Sequence, residues 1–347
     1  MRTKIGNGQT PIPRNDWQSF FKNKDNAQEL YDFTSDKLIT SPEVSHLLVL
    51  SDRDDKVLTN KEYDTSALSP NNHYEADTKC FLHLIDAVRS GHSNAFIRTV
   101  DSDLVIIAIA LFQQIENLTH LWIGFGKGKQ YYEIAVHNES RKYGPERALA
   151  LPFFNGITGC DTVSQALDIG KLKSWNAWDK IPELTAVFIK LLNDPTVFDS
   201  DPEIFKKLER FMVRCYSSTC SSPALDGARL KLFESGTKVL ETLPPTSAAY
   251  FKHARRAILQ ASFLWKQSLT AMQVVPSYSE WGWKWDGEIW VPLWTTKEIA
   301  SAACKFLRGC GCKKGCVNDR CKCRKRGDKC STLCRCGAGC TNNGNDL

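Results

Sequence analysis

Nine of the fourteen cysteines lie between Cys310 and Cys340, in the order C-x-C-x3-C-x4-C-x-C-x6-C-x3-C-x-C-x3-C. Closely spaced thiols in a chain with no apolar signal core at its start point to a reducing compartment, where they bind soft metals rather than pair as disulfides. Zinc takes four tetrahedral ligands, and no His stands in or near the block, so thiolates must fill every place. Nine sulfurs leave a remainder in separate four-cysteine sites, whereas about three zincs sharing three bridging thiolates use all nine. The predicted ligands are Cys310, Cys312, Cys316, Cys321, Cys323, Cys330, Cys334, Cys336 and Cys340. Between Arg308 and Cys340 ten Lys or Arg stand against two Asp, so the module keeps a charge of about +5 once the cluster's own −3 is counted. A compact cationic knob suits a polyanion, with Lys313, Lys314, Lys322, Arg324, Lys325 and Arg326 as the phosphate contacts. A metal store or a purely structural zinc knot are the plainer readings, and neither requires interleaved bases.

A second set of residues suits a harder ion. Asp101 and Asp103 follow the predicted strand Ala95 to Val100 and, two apart on an extended chain, point to one side. Glu75 and Asp77 open the next helix upstream, where the helix dipole tolerates negative charge, and Asp161 follows a further apolar stretch. Five carboxylates brought to one sheet edge repel one another unless a cation sits among them, and oxygen ligands suit Mg or Mn. Two such ions can clamp both oxygens of a phosphodiester displacement. The plainer reading is helix capping, by Asp101 or Asp103 at Leu104 and by Asp161 on a helix from Thr162 to Leu167.

Two resemblances follow. Cys310-Gly-Cys-Lys-Lys-Gly-Cys316, Cys321-Lys-Cys323 and Cys330 through Cys334-Arg-Cys336 to Cys340-Thr-Asn342 resemble a CXC domain of the Tesmin/TSO1-like type, over about the last 40 residues. The resemblance implies a zinc-cluster DNA binder and a nuclear protein. Glu75-Ala-Asp77, Val100-Asp-Ser-Asp103-Leu and Thr158-Gly-Cys-Asp161 resemble the acidic motifs of PIN-like nucleases of the flap-endonuclease type, over roughly residues 44–175. That family makes the five acids catalytic Mg or Mn ligands for cutting nucleic acid. It also places a metal-binding Asp on an early strand and another acid before the Glu75 position, and only Asp52 and Asp54 stand near as substitutes. The expected function is a zinc-cluster DNA-binding protein carrying a nuclease-like, inactive scaffold. The rivals are a structure-specific endonuclease and a zinc-stabilised protein-interaction module.

The elements that must position these residues follow from periodicity. The fold class is α/β: a PIN-like parallel-sheet domain over 44–181, after a lead-in of short helices over 1–43. A helical extension covers 182–307, with a Trp-rich hairpin at 281–294, and the zinc-cluster module covers 308–342. Strands over Leu118 to Ile123 and Tyr131 to Val136 alternate with helices over Leu104 to Ile115 and Glu146 to Gly156. Gly124-Phe-Gly-Lys-Gly-Lys129 lacks the spacing of a P-loop and reads as a hairpin turn. Gly170 and Lys171 are similar to the glycine hairpin by which flap-type nucleases hold DNA, but the second glycine is missing and an ordinary helix start is the simpler account. Helices are predicted over Glu183 to Leu192, Pro202 to Tyr216, Pro223 to Glu234, Thr246 to Leu269 and Thr296 to Leu307. Lys252, Arg255 and Arg256 are assigned to a solvated face of the fourth. Trp281, Trp283 and Trp285, with Trp290 and Trp294, form a hairpin around Asp286-Gly287 whose aromatic face packs on helices or stacks on unpaired bases. Cys80, Cys160, Cys215 and Cys220 read as ordinary thiols, and Cys304 is left out of the cluster. The longest apolar run, Leu104 to Phe112, is too short to span a bilayer, so no membrane partner is expected.

Overall fold

The computed structural model describes residue 5 and residues 16–52, 56–234, 242–297, 309–313, 315–331, 334–337 and 339–343. Lys314, Asp54, Cys304 and most of the helix expected over Thr296 to Leu307 lie outside them. Backbone contacts divide the chain into two compact units, Met1–Ser164 with Pro182–Asp201 and Arg255–Trp281, and Gln165–Ile181 with Pro202–Ala254 and Gly282–Leu347.

The first unit opens with helices α1 (Trp17–Lys22) and α2 (Lys24–Thr40), started by Asp16 and Asn23, whose side chains accept backbone N–H groups. Strands β1 (Val49–Ser51) and β2 (Val57–Thr59) form a separate antiparallel pair. Helix α3 (Ala76–Arg89) leads into β3 (Asn94–Thr99), α4 (Ser102–Leu111), β4 (His120–Phe125), β5 (Tyr132–Ala135), α5 (Val136–Tyr143) and α6 (Pro145–Ile157). The sheet has the order β3-β4-β5. β3 and β4 are parallel, from Asn94↔His120 to Thr99↔Phe125, with α4 as their crossover. β5 runs antiparallel to β4, from Trp122↔Ala135 to Phe125↔Tyr132, which corrects the expectation of an all-parallel sheet. The physical reason is length. A parallel return needs a dozen or more residues, and the loop from Gly126 to Tyr131 suffices only for a hairpin. Gly126 sits at φ 87 with Gln130 O 2.2 Å from where a Cβ would stand, so only glycine closes this turn.

One face of the sheet is covered, with Leu121 and Ile123 fully buried, while Phe96 and Trp122 on the other remain 54% and 38% exposed. Helix α4 is apolar almost all round and lies in the core against α6. In turn α6 packs on α8 (Leu184–Asn193), where Phe153 and Phe188 meet at 5.0 Å between ring centroids. Gly156 in α6 allows close approach to Ala257, whose carbonyl oxygen would stand 3.3 Å from an added Cβ.

In the second unit, α7 (Lys171–Asp179) packs on α10 (Pro202–Tyr216); the short α9 (Val197–Ser200) precedes α10 in the first unit. α10 buries Ile204, Leu208, Phe211, Met212 and Cys215, the i, i+4, i+7, i+8, i+11 pattern of one helix face. α11 (Leu225–Glu234) and the start of α12 (Ser247–Ile258) follow. The helix expected to Leu269 changes character at Leu259, where a π turn, Leu259–Leu264, and a 3-10 turn, Trp265–Gln267, take over. Lys252, Arg255 and Arg256 do not make a solvated face: Arg256 is 2% exposed, and Arg255 pairs with Asp199. No helix forms over Thr162 to Leu167, so Asp161 caps nothing, and Gly170 is the ordinary N-cap of α7.

Strands β6 (Trp283–Trp285) and β7 (Trp290–Pro292) form the expected Trp-rich hairpin. Four residues rather than two join them, and the Asp286 carboxylate accepts the N–H groups of Glu288 and Ile289. Trp285 and Trp290 stack edge to face at 5.6 Å and stay 54% and 38% exposed, so this end of the hairpin does not close a core. Among the described residues no helix is long and apolar enough to cross a membrane.

Candidate metal centre

Among the described residues of 309–343 the core is of one residue type. Cys310, Cys316, Cys321, Cys323, Cys330, Cys334, Cys336 and Cys340 are buried together with Cys312 at their edge, while Val317 is 64% exposed. The one regular helix described there, α13 (Lys322–Lys325), has four residues. Backbone hydrogen bonds tie the segment into a knot, Cys330 N–H to Asn342 O at 2.7 Å and Thr341 N–H to Gly315 O at 3.0 Å. Glycines at positive φ, Gly315, Gly327 and Gly337, let the chain reverse between cysteines. A core whose described side chains are all cysteines gains little from aliphatic burial, so something must hold the sulfurs together.

Their geometry fits a tetrahedral metal. Zinc–sulfur bonds of about 2.3 Å place sulfurs roughly 3.8 Å apart. The Sγ separations are 3.6 Å for Cys310–Cys316, 3.7 Å for Cys323–Cys334, and 3.9 Å for Cys310–Cys330, Cys310–Cys336 and Cys321–Cys330. Four overlapping quartets have all their sulfurs within 4.8 Å: 310/312/316/321, 310/321/323/330, 310/330/334/336 and 316/330/336/340. Together they use all nine cysteines, and Cys310 and Cys330 each belong to three. Sulfurs also accept N–H bonds as thiolates do, Cys334 from Cys310 and Ser331 at 3.2 and 3.3 Å, and Cys330 from Asn342 Nδ2 at 3.4 Å. The N–H of Arg324 leads in drawing the Cys321 thiol down to about 6, whereas burial pushes the thiols of Cys312, Cys316, Cys323, Cys330 and Cys336 up. These residues can hold zinc, with an all-thiolate donor set that suits a soft or borderline-soft metal.

The surface of the same segment is cationic. Lys313, Arg320, Lys322, Arg324, Lys325, Arg326, Lys329 and Arg335 are all exposed. Arg326 is anchored, its Nε donating to Lys322 O at 2.8 Å and lying 4.0 Å from Asp328.

The five acids sit in the first unit and feel one another. Glu75 is the N-cap of α3 and Asp77 lies in its first turn; Asp101 is the N-cap of α4 and accepts the Asp103 N–H at 2.8 Å. Asp161 is exposed in the loop after α6. Burial pushes the Asp77 carboxyl up to about 6, followed in effect by Asp101, Glu75, Asp103 and Asp161. Burial likewise raises Glu75, against hydrogen bonds that hold its charged form. Both Glu75 oxygens accept from Gln260 Nε2 at 3.0 Å, and one accepts from Trp265 Nε1 at 3.3 Å. Asp103 Oδ1 accepts Asn155 Nδ2 at 2.8 Å. The acids thus share one field, but among the described residues no three carboxylates close to within 4.8 Å.

Gln260, Trp265 and Asn155 were not singled out from sequence. Gln260 is oriented by Thr162 Oγ1, which donates to its Oε1 at 2.9 Å, and the π turn brings it to Glu75. The signal was a lone amide in the apolar run Ala257-Ile-Leu-Gln-Ala261, where a buried polar group must find partners. Half-buried Cys80 and buried Cys215 have their thiols pushed up to about 11 and about 12 by burial. No protein-family model matches this chain, and no curated protein or solved structure matches it either.

Proposed function

We propose that the chain is a DNA-binding protein whose C-terminal module is a CXC-type zinc cluster of about three ions, acting in the nucleus. The observation that carries the metal part is the burial of eight cysteines together, the whole core among the described residues of the module, with sulfurs at the spacing of shared tetrahedral zinc. Cys310 and Cys330, common to three quartets each, serve as two of the bridging thiolates. Bound zinc supplies a cross-link in place of a hydrophobic core. The shell of eight exposed Lys and Arg around it supports DNA as the polyanion, since a metal store needs no such coat. Direct titration tests this: a duplex binds the native chain with strong salt dependence, and binding is lost after zinc removal. Zinc content far below three per chain, or binding indifferent to salt, would count against the reading.

A second reading, a Mg- or Mn-dependent nuclease on a PIN-like fold, is favoured by Asp77, whose carboxyl is raised first by burial and then by the other four acids. The scaffold reading is preferred because Glu75 and Asp103 already spend oxygens on Gln260, Trp265 and Asn155. Incubating branched and single-stranded DNA with Mg or Mn separates the two. Cleavage by the native chain that disappears in the Asp103→Ala/Asp161→Ala variant would establish the enzyme.

A further inference from the structure

A recess of about 250 Å³ opens between α7 and α10, within the second unit, and none of the nine clustered cysteines or the five acids lines it. Lys173, Asn176, Ala177 and Lys180 line one side, at i, i+3, i+4 and i+7, so one stripe of α7 faces it. The last turn of α10 and the residues beyond it supply Arg214, Cys215 and Ser218. The floor is neutral and small, buried Ala177 and the Cys215 thiol. The rim carries three full positive charges, one amide and one hydroxyl, and no carboxylate lines it.

Two of those charges are oriented by hydrogen bonds without being neutralised. Lys173 Nζ donates to Asp168 O at 2.7 Å, and Arg214 donates to Ser218 O. Both acceptors are main-chain carbonyls. Among the described residues none of Lys173, Lys180 and Arg214 enters an ion pair. The carbonyl ends of α7 and α10 bring about half a negative charge each, which three full cations outweigh. Like charges gathered around one recess cost free energy unless an anion sits among them.

We propose that this recess binds a phosphate group. A phosphate at neutral pH carries about −1.5 to −2 charges and three acceptor oxygens, which matches three cationic donors better than a carboxylate does. The volume lies below the roughly 300 Å³ at which pockets begin to enclose whole small molecules, so it suits one phosphate and its immediate attachments. That chemistry has two sources, a phosphodiester of a nucleic-acid backbone or a free phosphate compound. The first would add a second contact to the DNA reading above and rests on it; the second stands without it.

The test uses the full chain with Lys173→Gln/Lys180→Gln, and Lys180→Gln alone as the milder change at an exposed helix end. Inorganic pyrophosphate is titrated by calorimetry into native and variant chains. A duplex is titrated against a chain already carrying Lys322→Gln, Arg324→Gln, Lys325→Gln and Arg326→Gln, with and without the recess substitutions. If the recess holds a backbone phosphate, the double change lowers the slope of log affinity against log salt by about 0.9 per lost contact. If it holds a free phosphate compound, the pyrophosphate heat vanishes in the variants while duplex binding is unchanged. No pyrophosphate heat in the native chain together with an unchanged duplex slope overturns the proposal. Should the four cluster substitutions leave native DNA binding intact, the cluster reading fails, while the pyrophosphate titration still decides the recess.

Discussion

Cys310 and Cys330 stand within reach of three sulfur quartets each, whereas Cys312 belongs to one. A shared thiolate that is lost uncouples two ions, and a terminal one leaves a single ion short of a ligand. Native mass spectrometry is therefore expected to show Cys330→Ser releasing at least two zincs per chain and Cys312→Ser at most one; equal losses would remove the bridging assignment. Asp77 offers a second prediction at the same scale. Folding raises its carboxyl from 3.8 to about 6, so the native state holds this proton more tightly than the unfolded chain. Stability from this group is present at low pH, falls as pH rises through that interval, and stays lost above it. Asp77→Asn is expected to raise the Tm at pH 7.5 and to leave it unchanged at pH 3.5. Thermal unfolding at the two values decides it, and equal shifts would mean that neither burial nor the neighbouring acids raise this carboxyl.

Among the elements, periodicity made the helices legible, and α10 falls on the predicted Pro202 to Tyr216. What periodicity does not carry is direction. A buried strand reads the same whichever way it runs, and β5 is set antiparallel by a short glycine turn that was visible beforehand as a hairpin. The site was legible in part. Acids that start α3 and α4 are marked by their place before apolar runs, whereas Gln260 and Trp265 reach Glu75 only because α12 passes into a π turn. Local patterns carry no sign of that distant pairing. The Trp hairpin was legible in its strands, but its burial is divided, with Trp281 packed on Phe263 while Trp285 and Trp290 stay exposed, because alternation gives a face but not what covers it. Packing between α6 and its neighbours has direct consequences for stability. Phe188→Ala, removing a fully buried ring against Phe153, is expected to cost about 3–5 kcal/mol in denaturant unfolding. Gly156→Val, forcing atoms toward the Ala257 carbonyl, is expected to cost about 1–3 kcal/mol by the same measurement.

For the whole molecule, the net charge of +6 is unevenly spread, since the last 40 residues hold ten bases and three acids and the rest sums to about −1. Polyanion binding by the chain should then depend mostly on a segment whose core consists of sulfur. A strong zinc chelator is expected to abolish duplex binding while changing far-UV circular dichroism little, because only α13 is helical among residues 309–343 as described. The most direct measurement is duplex affinity as a function of salt, for the native chain and for the Lys322→Gln/Arg324→Gln/Lys325→Gln/Arg326→Gln variant. We predict a weaker complex and a slope reduced by about 0.9 for each phosphate contact removed, up to roughly 3.6 if all four touch phosphate. Equal affinity and equal slope in the two proteins would contradict the account.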